Sequence, residues 1–349
     1  MRLLFIYQFL TLGGVESVIR NRYIGLKSLG YDVEVESLFL SQLVKGQVDL
    51  GDRVHITSDP GEIQRIAGRA DVISIIDTPQ VFDALASLRR PVIVEVHTPY
   101  DQSRAYVHQP FPRSTRMVLT PSHAFQRLLE REVPHRTWTV EALHNPLDLA
   151  FFAPASAAPC PHLALHGARP ILWVGRLDDL KDWQRAGRIA SRIFKELDAP
   201  DLELFMLGRH VSPTIPVDVF RREGILGRVR HMTSASFASM PTIYRTVAEA
   251  RGIYLSTSKG ESFGMTVAES MASSLPCLVH RLPVLEEVSA GKAAYYRTDA
   301  EAVEEACSLL TDTRRYDASA LELRQVARRY RPEETTKALY EKLLRVASA

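Results

Sequence analysis

Short apolar runs alternate along the chain with longer segments in which apolar residues recur every three to four positions. In the N-terminal part the runs are LLFIY, VEVESL, VHIT, VISII, VIVEV and MVLT, and a helical segment extends from Gly14 to Gly30. This alternation is typical of βα units built around a parallel sheet. A glycine at position 30 suits the left-handed conformation that ends many helices, so the first helix should close at Leu29 and Gly30.

The alternation stops in a stretch rich in proline and alanine and then starts again. The second series contains the runs ILWVG, LELFMLG, VRHM, GIYLST and PCLVH, with a helix from about Asp182 to Leu197. We therefore predict an N-terminal domain of residues 1–150, a linker of residues 151–168 and a C-terminal domain of residues 169–330. Residues 331–349 predict a final helix whose apolar stripe needs a partner surface.

Composition agrees with two soluble domains. The chain has 349 residues, 46% of them hydrophobic and 24% charged, and this length exceeds what one hydrophobic core usually serves. The net charge of +2 gives no overall field for nucleic acid, and we predict no nucleic-acid partner. Cys160, Cys277 and Cys307 have no CxxC spacing, which indicates reduced thiols rather than a zinc or redox site.

The N-terminal apolar run favours a buried first strand over a signal peptide, because Tyr7 and Gln8 interrupt it and no small-residue cleavage site follows. No run of about twenty apolar residues is present. These two features favour a cytoplasmic protein.

The segment KGESFGMTVAESM follows the strand GIYLSTS and holds two glutamates, Glu261 and Glu269. A strand that turns directly into a helix presents free amide groups and the positive end of the helix dipole to an anion. Here those amides would come from Ser262, Phe263, Gly264, Met265 and Thr266. Each carboxylate could accept hydrogen bonds from hydroxyl groups. The alternative is a surface helix with solvated acids.

Two cations follow the strand ILWVG. Arg176 comes directly after it and Lys181 five residues later, at the carboxyl edge where open α/β sheets bind ligands. Together they could neutralise a diphosphate, which an arginine can contact with two hydrogen bonds. The alternative is that Arg176 pairs with Asp178 or Asp179 and that Lys181 is solvated.

Two weaker signals lie in the N-terminal domain. Gly13 and Gly14 follow the first strand, where glycine lets the backbone approach a ligand closely. His97 ends the apolar strand VIVEV, although a histidine there is more often a structural hydrogen-bonding group.

Taken in order, LGGVE, VHT, ALHNPLD, VGRxxxxK and ExFGxxxxE resemble glycosyltransferase family 4, the retaining group 1 or glycogen synthase-like enzymes. The resemblance covers nearly the whole chain. It implies an α/β GT-B fold, with two doubly wound Rossmann-like domains facing a cleft and a C-terminal helix that crosses back to the N-terminal domain.

The resemblance also implies roles for the residues named above. Arg176 and Lys181 would clamp the diphosphate of a nucleotide sugar in place of a metal ion, and Glu269 would bind the ribose. Glu261 and the following amides would hold the sugar and distal phosphate, Gly13 and Gly14 would face the diphosphate, and His97 would lie near the reacting sugar. The nucleotide sugar is then a co-substrate, and no cofactor or metal is expected.

The implied activity is that of a hexosyltransferase. A sugar would pass from a UDP-sugar, favoured over a GDP-sugar, to a hydroxyl of a glycan, lipid-linked or small-molecule acceptor. The segment YDQSRAYVHQPFPRSTR, with Arg104, His108, Arg113 and Arg116, could meet a phosphate-bearing acceptor or the inner membrane face, or be a solvated loop.

The sequence departs from the pattern of these enzymes at three places, and three alternative functions remain open. Arg281 and Leu282 stand where such enzymes often have two glycines, SSLPC replaces a small-Gly-x-Pro step, and Thr233 stands for an expected glycine. The alternatives are a nucleotide-sugar 2-epimerase, an inactive scaffold or sugar-binding protein, and a nicotinamide-dependent oxidoreductase. The last lacks its glycine fingerprint.

Overall fold

The computed structural model describes residues 1–11, 13–43, 49–136, 138–153 and 167–348, which divide into two compact units. The first unit consists of Met1–Asp148 and Tyr330–Ala349, and the second of Leu149–Arg329. Residues 154–166, most of the predicted linker, lie outside the described residues, so the predicted domain bounds stay a prediction.

The first unit is built on a seven-stranded parallel sheet of order β3-β2-β1-β4-β5-β6-β7. Its strands are β1 (Arg2–Leu10), β2 (Glu34–Gln42), β3 (Arg53–Ile56), β4 (Val72–Ile76), β5 (Val92–Glu95), β6 (Thr115–Thr120) and β7 (Val140–Ala142). Its helices are α1 (Gly14–Ser28), α2 (Pro60–Ala67), α3 (Phe82–Leu85), α4 (Asp101–Arg104), α5 (His123–Glu132) and the C-terminal helix (Pro332–Ala347). Six of the seven strands coincide with predicted apolar runs, whereas the three-residue edge strand β7 was not predicted.

The first helix ends as its sequence predicts. Gly30 has a φ of +68°, and its amide donates to the carbonyl of Lys27 over 3.0 Å. The amide of Tyr31 donates to the carbonyl of Leu26 over 3.1 Å, which completes a Schellman motif.

The C-terminal helix belongs to the first unit, where it packs on α1. A side chain at Gly25 would place its Cβ 2.1 Å from Oγ1 of Thr336, so the two helices approach as closely as a glycine allows. Tyr31 and Tyr340 stack with their ring centroids 3.9 Å apart. Leu339, Leu343 and Val346 join the hydrophobic core beneath the sheet. The predicted apolar stripe of this helix therefore has its partner surface.

The second unit contains a six-stranded parallel sheet of order β10-β9-β8-β11-β12-β13. Its strands are β8 (Arg169–Val174), β9 (Leu202–Leu207), β10 (Val229–Met232), β11 (Ile253–Ser256), β12 (Cys277–His280) and β13 (Ala294–Tyr296). Its helices are α6 (Trp183–Leu197), α7 (Pro216–Arg222), α8 (Met240–Glu249), α9 (Met265–Ala272), α10 (Pro283–Val288), α11 (Asp299–Thr311) and α12 (Thr313–Ala327), and the C-terminal helix is therefore α13. The predicted α/β class with two parallel sheets is confirmed. Among the described residues, no helix is long and apolar enough to cross a membrane.

The turn between α9 and β12 explains one departure in the sequence. Ser274 has a φ of +58°, a left-handed conformation in which glycine is the least strained residue. The serine stands where SSLPC replaces the small-Gly-x-Pro step, so the chain keeps the turn and accepts the strain of a side chain there.

We predict that Ser274→Gly raises the free energy of unfolding by about 1 kcal/mol, because it relieves this strain at a modest cost in unfolded-state entropy. Urea unfolding of the wild-type and variant proteins measures the change in the free energy of unfolding. Ser273→Gly is the matched control, since Ser273 has a φ of −85° and should not gain stability. Equal effects of the two substitutions would contradict the interpretation.

Candidate functional site

Two loops of the second unit are joined at the carboxyl edge of its sheet. One follows β8 and the other follows β11, and these strands are paired neighbours. The amide of Lys259 donates to the carbonyl of Leu180 over 2.8 Å, and Oγ1 of Thr257 donates to the carbonyl of Lys181 over 2.8 Å. The buried indole of Trp173 donates to Thr257 over 2.9 Å and anchors the junction to the core. These bonds hold the two loops side by side, so that Lys181 and Glu261 become neighbours although they are 80 positions apart in the sequence.

Lys181 and Glu261 meet at this junction. Nζ of Lys181 lies 2.5 Å from Oε1 of Glu261, and the side chains are 19% and 9% exposed. The aliphatic part of Lys181 packs beside Gly175, where a Cβ would lie 3.4 Å from its Cγ. The structure thus brings two of the predicted site residues into direct contact.

Arg176 lies on the same loop and is more accessible. Its Nε is 3.4 Å from Oδ2 of Asp178, and its side chain is 55% exposed. The pairing with Asp178 is the alternative that the sequence left open. Because the Arg176 side chain is largely exposed, solvent screens the pair and it contributes little stability.

The predicted glycine turn precedes α9. Gly264 has a φ of +90° and forms the N-cap, and a Cβ there would lie 2.6 Å from Leu285. Met265 and Thr266 are the first two residues of the helix, so their amides belong to its positive end. Phe263 is 1% exposed, which makes its side chain part of the core and leaves Ser262 and the backbone to contribute to the site.

Glu269 lies on the next turn of α9 and is 8% exposed. Its Oε2 accepts a hydrogen bond of 2.9 Å from the hydroxyl of Tyr244, a buried residue of α8. Burial raises the pKa of Glu269 to about 7, against the lowering effect of the Tyr244 hydrogen bond. The carboxyl group is therefore poised near neutrality, unlike a solvated surface acid.

In the first unit, the loop after β1 is closed by Glu16 of α1. Its carboxylate accepts from the amide of Gly13 over 3.1 Å and from the hydroxyl of Thr11 over 2.8 Å, and it also accepts from the amide of Thr11. Glu16 is 1% exposed. Gly13 is the N-cap of α1, and Gly14 is its first residue. In this structure an internal carboxylate holds the amide group of Gly13.

His97 stands at the centre of a buried polar cluster after β5. Its Nε2 lies 2.9 Å from Oε2 of Glu95, and its amide donates to Asp77 over 3.1 Å. Glu95 also contacts Nη1 of Arg22 at 2.7 Å, and Tyr106 donates to Asp77 over 2.9 Å.

The two carboxylates of this cluster differ electrostatically. Burial alone would raise the pKa of Glu95, but the Arg22 guanidinium and His97 outweigh it and hold that pKa well below its usual range. Burial raises the pKa of Asp77 to about 6, although His97 and Tyr106 lower it. Asp77 also has a φ of +42°, so its backbone is strained at the same sheet edge. His97 therefore makes the structural hydrogen bonds that the sequence analysis gave as the alternative to a role in the site.

Sequence reasoning missed several of these partners. Glu16 had a signal, because a glutamate three residues after an N-cap is the mark of a capping interaction. Glu95 had one too, since an acid inside the apolar run VIVEV needs a buried partner. No local sequence signal marked Tyr244 or Arg22, because their role depends on which helix packs beside which strand.

Comparisons with known proteins address the family and the fold of the chain. Residues 168–312 match the family described as glycosyl transferases group 1. A search of curated proteins finds no match. Among solved structures, Anabaena HepE in complex with UDP and glucose superposes with a TM-score of 0.79 at 14% identity, over 99% of each chain.

Two further structures show the same fold. The pneumococcal O-GlcNAc transferase GtfA, in complex with UDP and GlcNAc, gives a TM-score of 0.72 at 11% identity over 99% of each chain. A glycosyltransferase from Rickettsia africae gives 0.73 at 13% identity, covering 99% of this chain and 98% of that one.

The fold is therefore that of the GT-B glycosyltransferases, as predicted. Within it, residues 168–312 match the group 1 glycosyl transferases, which supports the predicted class of enzyme. Membership of family 4 in particular stays a prediction.

The raised pKa of Glu269 makes stability depend on pH. The folded state holds this proton more tightly than the unfolded chain, whose pKa is near 4.5, so the stabilising contribution is complete below that pH. It is lost as the pH rises through about 7. We expect the wild-type protein to lose about 3 kcal/mol relative to Glu269→Gln across this interval.

Urea unfolding of the ligand-free protein at several pH values measures this difference. Glu341→Gln, at an exposed position on α13, is the matched control. A constant difference between wild type and Glu269→Gln from pH 4.5 to 8 would contradict the assignment.

Proposed function

We propose that this protein is a retaining, metal-independent glycosyltransferase that moves a sugar from a nucleotide-diphosphate sugar to a hydroxyl acceptor. The observation that carries the proposal is the contact of Lys181 with Glu261, beside the N-terminus of α9 and inside the group 1 domain. A cation, a hydroxyl-binding carboxylate and a helix N-terminus are together the groups that a phosphorylated sugar requires.

In the absence of donor, Glu261 neutralises Lys181. On donor binding, the ammonium group would turn to the diphosphate, and Arg176 would leave Asp178 to do the same. Glu261 would then accept a hydrogen bond from a sugar hydroxyl. This exchange of partners supplies two positive charges at the leaving group, which is the task that a metal ion performs in other enzymes.

Glu269 would accept hydrogen bonds from the ribose hydroxyls with the oxygen that Tyr244 does not use. Its ionised form is the better acceptor, so donor binding should strengthen as the pH rises through about 7. The amides of residues 262–266 would contact the distal phosphate. Gly13 and Gly14 stay predictions as donor contacts, and His97 stays a candidate near the reacting sugar.

Retention would follow from attack on the face of the sugar that the diphosphate leaves. The acceptor oxygen forms a bond to the anomeric carbon while the bond from that carbon to the phosphate oxygen breaks. The departing phosphate takes the proton of the acceptor hydroxyl. The protein's contribution is then mainly electrostatic, from Arg176, Lys181 and the amides that precede α9.

UDP-sugars are the favoured donors. HepE and GtfA are both described in complex with UDP, and HepE also with UDP-glucose. The acceptor is proposed to be a glycan, lipid-linked or small-molecule hydroxyl. If it is lipid-linked, Arg113 and Arg116, two exposed cations of the first unit, would meet a membrane surface, and flotation with anionic vesicles tests this contact.

We predict that Arg176→Ala or Lys181→Ala lowers turnover by about two to three orders of magnitude, because each removes charge stabilisation at the leaving group. Initial rates of sugar release from UDP-sugars measure the loss. Arg192→Ala and Lys195→Ala, at exposed positions of α6, are the matched controls and should keep full activity. Near wild-type turnover of both site variants would contradict the assignment of Arg176 and Lys181 to the diphosphate.

We also predict that UDP raises the melting temperature of the wild-type protein more than GDP, ADP or TDP. A ligand at one hundred times its Kd adds about 2.7 kcal/mol to the stability of the state that binds it. The shift should vanish in the Arg176→Ala/Lys181→Ala double variant. A larger shift with GDP would reject UDP as the donor base.

A further inference from the structure

A cavity lies in the first unit, and none of the loops described above lines it. It has a volume of about 900 Å³ and is lined by residues 107–113, 115, 116, 132–136, 138 and 139. The first segment leads into β6 at its amino end, and the second leads into β7 at its amino end. Gly13 and His97 follow the carboxyl ends of β1 and β5. Because all these strands are parallel, the cavity lies at the opposite edge of the sheet from Gly13 and His97.

The lining is positively charged. Among the described residues that line the cavity, the basic ones are His108, Arg113, Arg116, His135 and Arg136, and Glu132 is the one acid. Glu132 is already engaged, since its Oε2 accepts from Nε of Arg104 over 2.8 Å. Arg113 and Arg116 are exposed and have no ion pair among the described residues. The cavity therefore has charge to offer an anion.

Two aromatic rings form part of the wall. Phe111 and Trp138 stack with centroids 5.0 Å apart and an interplanar angle of 23°. Both are half-buried, so they line a recess and do not protrude from the surface. The guanidinium carbon of Arg136 lies 5.9 Å from the centroid of Trp138. A cation beside an aromatic platform suits a ligand with both acidic and weakly apolar faces.

Two buried polar atoms of the lining lack a hydrogen-bond partner among the described residues. They are Oγ1 of Thr115 and Nε of Arg136. The guanidinium of Arg136 is fixed in place, because Nη1 donates to the carbonyls of Glu130 and Val133, each over 3.3 Å. Both atoms are shielded from a water-sized probe, so they belong to the wall behind the cavity and not to its ligand-binding surface.

We propose that this cavity binds an acidic oligosaccharide, at a site separate from the one that holds the sugar donor. Its acidic groups would pair with Arg113 and Arg116. The carbon–hydrogen faces of its rings would pack on Phe111 and Trp138. The volume admits a few sugar units and is far larger than a single anion needs. This binding does not depend on the transfer reaction.

The test is calorimetric titration of the full-length protein, without donor, with a tetragalacturonate. The comparison ligands are its neutral methyl ester, inorganic phosphate and phosphatidylglycerol vesicles. We expect the acidic tetrasaccharide to bind and its methyl ester to bind at least tenfold more weakly. We expect Arg113→Gln/Arg116→Gln to raise the Kd at least tenfold and to reduce its salt dependence.

Two controls separate this site from the rest of the protein. Arg127→Gln/Arg131→Gln changes two exposed cations of α5 outside the cavity and should alter the Kd less than twofold. Arg176→Ala should bind the tetrasaccharide like the wild type, even if it has lost transfer activity. Failure of the proposed function would therefore leave this result unchanged.

Tryptophan fluorescence gives a second measurement. Trp173 and Trp183 are 2% and 1% exposed in the second unit, so a ligand-induced change should come from Trp138 and vanish in Trp138→Phe. Three outcomes would overturn the proposal: no binding of the acidic tetrasaccharide, equal binding of phosphate alone, or binding of the vesicles only.

Discussion

Neighbouring parallel strands end at one edge of their sheet, and the contact between Lys181 and Glu261 exists because β8 and β11 are such neighbours. The two loops are then tied together through Thr257, Leu180 and Lys259, so the cation and the carboxylate need little further ordering. A ligand that takes Lys181 from Glu261 exchanges one charged partner for another. That exchange costs much less than placing a bare ammonium group in a partly buried position.

Buried carboxylates have different kinds of partner in the two units. In the first, Glu95 pairs with Arg22 and contacts His97, and this ion pair offsets part of the cost of burying both charges. Nε and Nη2 of Arg22 have no hydrogen-bond partner among the described residues. In the second, Glu269 is buried with a neutral phenol as its partner, and its pKa rises accordingly. A carboxyl group in that state gains more from a new hydrogen-bond donor than one already paired with a cation.

The opposite edges of the first sheet also carry different chemistry. The carboxyl edge holds Gly13, Asp77 and His97, whose polar groups are engaged with other residues of the same unit. The amino edge beside β6 and β7 holds exposed arginines, and Oγ1 of Thr115 and Nε of Arg136 there have no hydrogen-bond partner in the described part of the chain.

The sequence by itself determined the strand and helix pattern, the left-handed end of α1 at Gly30 and the order of the motifs, because these depend on local periodicity and backbone conformation. It also named Lys181 and Glu261, since each follows a recognisable strand. Only the tertiary structure decided that these two side chains touch, that Tyr244 donates a hydrogen bond to the buried Glu269, and that Glu16 accepts from the amide of Gly13. The short edge strands β7 and β13 escaped prediction because three residues carry too little pattern. Pairings between distant residues depend on strand order and helix packing, which arise from the whole chain and leave no local trace.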